Sequence, residues 1–314
     1  MKQSATNKLG TQSVGKLLVE LAVPSITAQI INMLYNLVDR IYIGHMPDGG
    51  TLALTGVGVC FPIITLISAF SSLIGTGGAP QAAIRMGEKN DKAAERILSG
   101  CVTVLLILSI ILTAIFLIFG RNLLLLFGAS TDTLPYALDY MNIYVIGTVF
   151  VMTSLGLNPF ISTQGFARTS MLTVIIGAVI NIILDPIFIF IFDMGVKGAA
   201  LATILSQCVS AIWALRFLTG KRTTLRIKLS QMRPEKKYIF PVLALGMSPF
   251  IMESTESLLS ICFNASLQKF GGDLAVGSMT ILTSSMQILS LPLNGLTQGA
   301  QPIISYNYGA GNQE

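Results

Sequence analysis

From Val102 to Phe119 the chain runs for eighteen residues without one charged side chain. A hydrocarbon core about 30 Å thick is crossed by roughly 20 mostly apolar residues wound as a helix. Irregular backbone cannot take the helix's place there, because its N–H and C=O groups would stay unpaired. Runs of this kind recur, and eight spans are predicted, at 17–43, 52–83, 97–119, 135–157, 168–192, 197–218, 239–268 and 274–305. With 52% hydrophobic residues, 11% charged residues and a mean hydropathy of +0.71, the chain carries far less charge than the about 25% of a soluble domain. The stretch from Met1 to Gly15 is polar and weakly basic, and the apolar run behind it is long enough to span and stay. The expected fold class is an all-α, multi-pass membrane protein.

Lysine and arginine set the expected orientation. With the N-terminus in the cytoplasm, the inner segments hold Lys2, Lys8, Lys16, Arg85, Lys89, Lys92, Arg96, Arg168, Arg216, Lys221, Arg222, Arg226, Lys228, Arg233, Lys236 and Lys237, which is 16 of the 20 basic residues. Only Arg40, Arg121, Lys197 and Lys269 fall outside. Basic residues of short loops stay on the cytoplasmic side, so the chain is expected in the inner or plasma membrane with its N-terminus inside. The same pattern accounts for the net charge of +5 without nucleic acid, since the basic loops lie against an anionic leaflet.

The longest polar stretch runs from Thr219 to Lys237 and reads as a basic cytoplasmic linker. It divides an N-terminal unit of six spans, 1–218, from a C-terminal unit of two, 238–314. An internal repeat supports the division. At an offset of 222, Gly49-Gly50 falls on Gly271-Gly272, Leu52-Ala53 on Leu274-Ala275, Ser68 on Ser290 and Gly77 on Gly299. Pro80 then falls on Pro302, Gly87 on Gly309 and Asn90 on Asn312, and a slightly different offset brings Pro24 onto Pro249. Six spans separate the copies, so they share one orientation, as in transporters built from parallel repeats. The second copy stops at Glu314, and a complete duplication is expected to add about four more spans.

Ionisable groups inside a bilayer cost roughly 2.5–3.5 kcal/mol each on insertion scales, and they default to functional candidates that face a cavity. Four acids fall well within predicted spans: Asp39, Asp185, Glu253 and Glu256. Asp39 ends a stripe of Ser25, Gln29, Asn32 and Asn36, spaced four, three, four and three apart on one helical face, with Tyr35 beside it. Such a face avoids lipid either by bonding neighbouring helices or by lining a chamber. Asp185 is the lone charge of its span; Asn181 lies one turn earlier on the same face, and Pro186 disturbs the helix and frees carbonyls. A carboxylate so placed is costly to leave bare and cheap to neutralise with a small cation, as ion coupling requires. Glu253 and Glu256 stand near Ser257, Ser260 and Asn264, either as a second cation site or as a face toward the linker.

Other signals are structural. Cys60, Cys101, Cys208 and Cys262 lie inside apolar runs without metal-ligand spacing and read as small buried hydrophobes. His45, the sole histidine, sits in an outer loop. Gly75, Gly77 and Gly78 lack the Lys-Ser/Thr of a phosphate loop and read as close helix-packing positions. No His-Glu-x-x-His pattern supports an enzyme.

The segments LAVPSITAQIINMLYNLVDRIYIGH, LNPFISTQGFARTS, NIILDPIFIF, MGVKGAALATILSQ and QPIISYNYGAGN extend over nearly the whole chain. On these the sequence resembles the multidrug and toxic compound extrusion (MATE) family, in its DinF-like branch, with the C-terminal part truncated. The resemblance implies two six-helix lobes around a central cavity, of which this chain holds the first lobe and the first two helices of the second. It implies alternating access and export of small cationic amphipathic molecules, antibiotics among them, against H⁺ or Na⁺, with no cofactor. Carried over residue by residue, Asp39, Asp185 and Asn181 match the coupling site, and the only metal it implies is Na⁺ on these three. Asn32, Tyr35, Asn36, Asn158, Thr203 and Glu256 match positions lining the cavity, and Pro24 a helix bend. Two rival expectations stand. One is an inactive fragment, or a chain that needs a partner supplying the missing C-terminal helices. The other is a lipid-linked oligosaccharide flippase of the same superfamily, whose cavity would need basic groups for a pyrophosphate.

Overall fold

The computed structural model describes residues 8–47 and 49–312, without the side chains of 260, 264, 265, 268, 269, 271–281, 283–285 and 287–289. Ser260, Asn264, Lys269, Gly271-Gly272 and Leu274-Ala275, named above, therefore lie outside the described side chains, as Lys2 lies outside the described residues. Every extended element is a helix: α1 Val14–Gly44, α2 Gly50–Gly87, α3 Asp91–Leu126, α4 Leu134–Ile146, α5 Thr148–Ser162, α6 Ala167–Pro186, α7 Val196–Thr219 and α8 Lys236–Ala310. Five of these are long and apolar enough to cross a bilayer, and α4 and α5, bent by 59° to one another, meet the same criterion taken together. The bend is a departure from the straight span predicted at 135–157. It falls at Gly147, where a methyl group would lie 2.1 Å from the Ile204 side chain, so α7 presses directly on the bare backbone.

The first six predicted spans have helical counterparts, whereas those predicted at 239–268 and 274–305 form one helix, α8; the apolar residues of these helices serve two solvents. One set fills a protein core under α2, α3 and α5, with Ile63, Ile67, Ile74, Leu98, Leu105, Met152 and Phe160 nearly or fully enclosed. The other set, including Ile110, Ile118, Leu126 and Ile191, points outward, each more than two-thirds exposed, as only a lipid-facing surface tolerates in such density. Helix α3 starts from an Asn90 cap whose Oδ1 accepts from the Ala93 N–H at 3.2 Å. Cys60 and Cys101 are enclosed as expected, whereas Cys262 is exposed on the outer face of α8.

Helix α8 doubles back on itself. A straight helix of 75 residues would be about 110 Å long. Yet a methyl on Gly77 would meet the Val242 carbonyl oxygen at 2.2 Å, near the start of α8. A methyl on Gly87, ten residues along the same helix, would meet the Tyr306 carbonyl oxygen at 2.1 Å, near its end. Between these contacts the chain runs out past Ser257, which lies against Pro62, and returns past Gly295, which lies against Ile26. The outgoing arm packs on α2 and the returning arm on α1.

The basic stretch ahead of α8 is fastened to the first six crossings. Gln164 is fully enclosed, and its Oε1 accepts from the Thr223 hydroxyl (2.8 Å), the Thr224 N–H (2.9 Å) and the Leu225 N–H (2.8 Å). Further along, the Lys228 N–H donates to Ser99 Oγ at 3.1 Å, the Lys228 ammonium pairs with Glu95, and the Thr103 hydroxyl donates to the Met232 carbonyl.

Candidate functional site

Two helices bring the acids together. Helices α1 and α6 pack side by side, and each carries its aspartate near its C-terminal end, Asp39 on α1 and Asp185 on α6. At Pro186 the missing N–H ends the regular ladder, and a π-helical turn, Ile187–Ile191, follows. Gly195, at φ +56°, closes the return into α7, and Gly198 lets α7 pass against the Phe188 backbone. Thr203 and Gln207, one turn apart, thereby face the same space.

Asp185 has no exposed surface and Asn181 1%. The Asn181 amide donates to Asp185 Oδ1 at 3.1 Å and leans on Thr203 Oγ1 at 3.5 Å. The Asp39 and Asp185 carboxyl groups face one another within hydrogen-bonding reach. The Tyr35 hydroxyl lies close to both acids, with Asn36 and Gln207 beside it. Tyr140 lies near Asp39 and Thr203 and stacks on Tyr144 with ring centroids 5.8 Å apart.

The cluster is rich in acceptors without donors. Asp39 Oδ1, Asp185 Oδ2, Asn181 Oδ1 and Gln207 Oε1 are buried with no hydrogen-bond partner, as is Asn158 Oδ1 on α5. Leaving a buried polar atom unpaired costs about 1–3 kcal/mol, and more for a charged group. Five such oxygens in one half of a bundle suit a proton, a hard cation that prefers oxygen ligands, or a donor-bearing organic cation. Asp39, Asp185, the Asn181 carbonyl oxygen and Thr203 are the groups able to hold a sodium ion.

Of the residues singled out from sequence, Asp39, Asp185, Asn181, Thr203 and Tyr35 come together. Asn32 is half-buried, while Asn36 is exposed and also donates to its own helix at the Asn32 carbonyl, 2.7 Å away. Ser25 likewise turns back to Leu21, and Pro24 is buried in α1. Glu256 is exposed on α8; its neighbour Glu253 is the acid that engages another helix, accepting from Ser72 Oγ at 2.6 Å. Sequence reasoning misses Tyr140, Tyr144 and Gln207. The period-four tyrosines 136, 140 and 144, and the i+4 spacing of Gln207 from Thr203, are the signals that could find them. A separate cavity of about 520 Å³ opens between α2 and the two arms of α8, lined by Thr76, Pro249 and Gln301 among others, and it does not include the acids.

Comparison with known proteins places this architecture. Residues 24–187 and 249–314 match the MatE family profile. The multidrug export protein MepA of Staphylococcus haemolyticus (strain JCSC1435) is 27% identical over 296 residues, which cover 94% of this chain and 65% of that protein. The chain thus spans about two-thirds of this relative's length. The solved MATE multidrug transporter DinF-BH is 34% identical with a TM-score of 0.91, covering 98% of this chain and 68% of its own. A solved MOP superfamily transporter from Pyrococcus furiosus shares 26% identity at a TM-score of 0.91, over 99% and 69% of the two chains. These relatives are transporters rather than enzymes, and with most of its length matched by the family profile this multi-pass membrane chain belongs to the MatE family.

Proposed function

We propose that the protein exports small organic cations across the cell membrane in exchange for H⁺ or Na⁺, by alternating access, and so contributes to antibiotic resistance. The observation that carries this reading is the pair Asp39 and Asp185, facing each other between α1 and α6 with one oxygen each left unpaired. Two carboxylates so close in a low-dielectric site repel one another unless a proton or cation lies between them. A positively charged substrate supplies the same neutralisation, so ion and substrate compete for one site. Asn181 orients Asp185, and Thr203 and Tyr35 complete the oxygen shell; Asn32, Asn36, Asn158 and Glu256 are assigned to the cavity wall, and Pro24 to a bend of α1.

The N-terminus is assigned to the cytoplasm, on the count of basic residues. A DinF-like branch is supported by the 34% identity to DinF-BH. Division into a lobe 1–218, a linker 219–237 and a second-lobe segment 238–314 is supported by the repeat. Gly77 of α2 packs on the outgoing arm of α8 at Gly246, and Gly299, its repeat mate, packs on α1 at Ala22. Gly87 and Gly309, mates at the same offset, lie against the Tyr306–Ala310 backbone and the Ile84 backbone respectively. Contacts that map onto one another in this way are what a twofold axis along the membrane normal produces.

The test is dye efflux from vesicles carrying the protein, under separately imposed pH and sodium gradients. Asp185→Asn is expected to abolish ion-driven efflux while the protein still inserts and migrates as a folded species. Efflux unchanged in that variant removes Asp185 from the mechanism.

A further inference from the structure

We infer that the basic stretch between α7 and α8 binds anionic phospholipid, with the Leu229 side chain among the acyl chains and the basic residues around it on headgroup phosphates. Lipid binding of this kind holds whatever the protein transports. Leu229 opens a short 3-10 turn, Leu229–Gln231, and leaves 87% of its surface exposed. Looseness does not account for that exposure, because the chain is pinned on both sides of the turn. Ahead of it, Ser99 holds the Lys228 N–H and Glu95 holds the Lys228 ammonium; behind it, the Thr103 hydroxyl holds the Met232 carbonyl. Pro234 then passes over Gly100, where a methyl group would lie 3.8 Å from the Pro234 Cα. A large apolar side chain fixed in the open marks an interaction surface.

The anchor points say what lies against that surface. Ser99, Gly100 and Thr103 sit near the start of α3, so the stretch crosses the helix at that end. From Thr103 the same helical face continues as Ile107, Ile110, Ala114 and Leu117, at steps of four, three, four and three. All four are exposed, Ile110 to 69%, so this face is the lipid-facing side of α3. The charge-free run begins at Val102, which puts the crossing where hydrocarbon gives way to headgroups.

Charge supplies the other half. From Thr219 to Lys237 the chain holds seven basic residues and one acid, Glu235, which pairs with Arg96. Lys221, Arg222, Arg226, Arg233, Lys236 and Lys237 have no carboxylate partner among the described residues. A soluble acidic protein or a nucleic acid would answer these charges and leave Leu229 in water. An anionic leaflet offers phosphate and hydrocarbon within one layer, the pairing by which basic amphipathic surfaces hold to membranes.

The experiment places a reporter tryptophan on the turn, Leu229→Trp, in protein whose one native tryptophan is replaced by Trp213→Phe. The protein is reconstituted in bilayers of phosphatidylcholine and phosphatidylglycerol, one of the two carrying brominated acyl chains that quench a tryptophan they touch. The reporter is expected to be quenched by both lipids and to prefer phosphatidylglycerol by at least about ten-fold. Arg226→Gln together with Arg233→Gln is expected to cut that preference about ten-fold, the order for two basic residues at a lipid surface. Raised salt should weaken it as well. Ile110→Trp, on the lipid-facing side of α3, is the control, and equal quenching there by both lipids shows that the protein is inserted. A reporter at 229 that escapes quenching while one at 110 is quenched overturns the inference and turns the stretch toward a soluble partner. Equal quenching at 229 by the two lipids overturns it too. So does a preference that the paired glutamine substitutions leave unchanged, or one equally large at position 110.

Discussion

Glu95 keeps only 11% of its side chain exposed, and its partner Lys228 reaches it from the stretch between α7 and α8. Removing the lysine strands a mostly enclosed carboxylate, which costs more than an exposed pair is worth. Lys228→Met is expected to lower stability by roughly 1–2 kcal/mol, discounted for the half-open lysine. Adding Glu95→Gln should recover most of that loss in a double-mutant cycle of thermal melts; losses of the two single variants that simply add in the double variant would mean the pair does nothing. At this scale the sequence is legible where chemistry is expensive. Asp39, Asp185 and Asn181 stand out because a carboxylate in hydrocarbon needs a reason to be there. Gln207 and Tyr140 do not, because an uncharged polar side chain in a bundle more often bonds a neighbouring helix. Asn36 and Ser25, which turn back to their own helix, show the same ambiguity resolved the other way.

The stretch 219–237 reads as a tether in the sequence, and most of it is a strap. Composition shows that it is basic and polar, but the donors that Gln164 satisfies come from residues about 60 positions away, a separation at which no local pattern reports. Gln164→Leu leaves two backbone N–H groups without their acceptor in an enclosed site, while the Thr223 hydroxyl keeps the Leu225 carbonyl. A loss of about 2–4 kcal/mol is expected, with much faster amide exchange at Thr224 and Leu225. Exchange rates that stay the same there would show that the strap is held by its other contacts. Helix positions are readable because hydrophobic length alone sets them. The 59° break at Gly147 is not readable, since it arises from the approach of Ile204 on a different helix.

The molecule as a whole joins two features that are separately visible in the sequence, intramembrane acids and a repeat. Seven described helices and the doubled α8 enclose an acid pair on the α1–α6 side, while the repeat-matched glycines bring α8 onto α1 and α2. The returning arm of α8 therefore lies against the helix that carries Asp39, at Ala22 and Ile26. How the ion and the organic cation share the site is the central claim, and it is tested by titrating the purified protein with rhodamine 6G in a weakly buffered medium. Released protons are read by electrode, and displaced radioactive sodium is counted in parallel. An ion is expected to leave as each dye binds, and to leave neither Asp39→Asn nor Asp185→Asn protein. Saturable dye binding with release of neither ion from the unmodified protein would contradict the account.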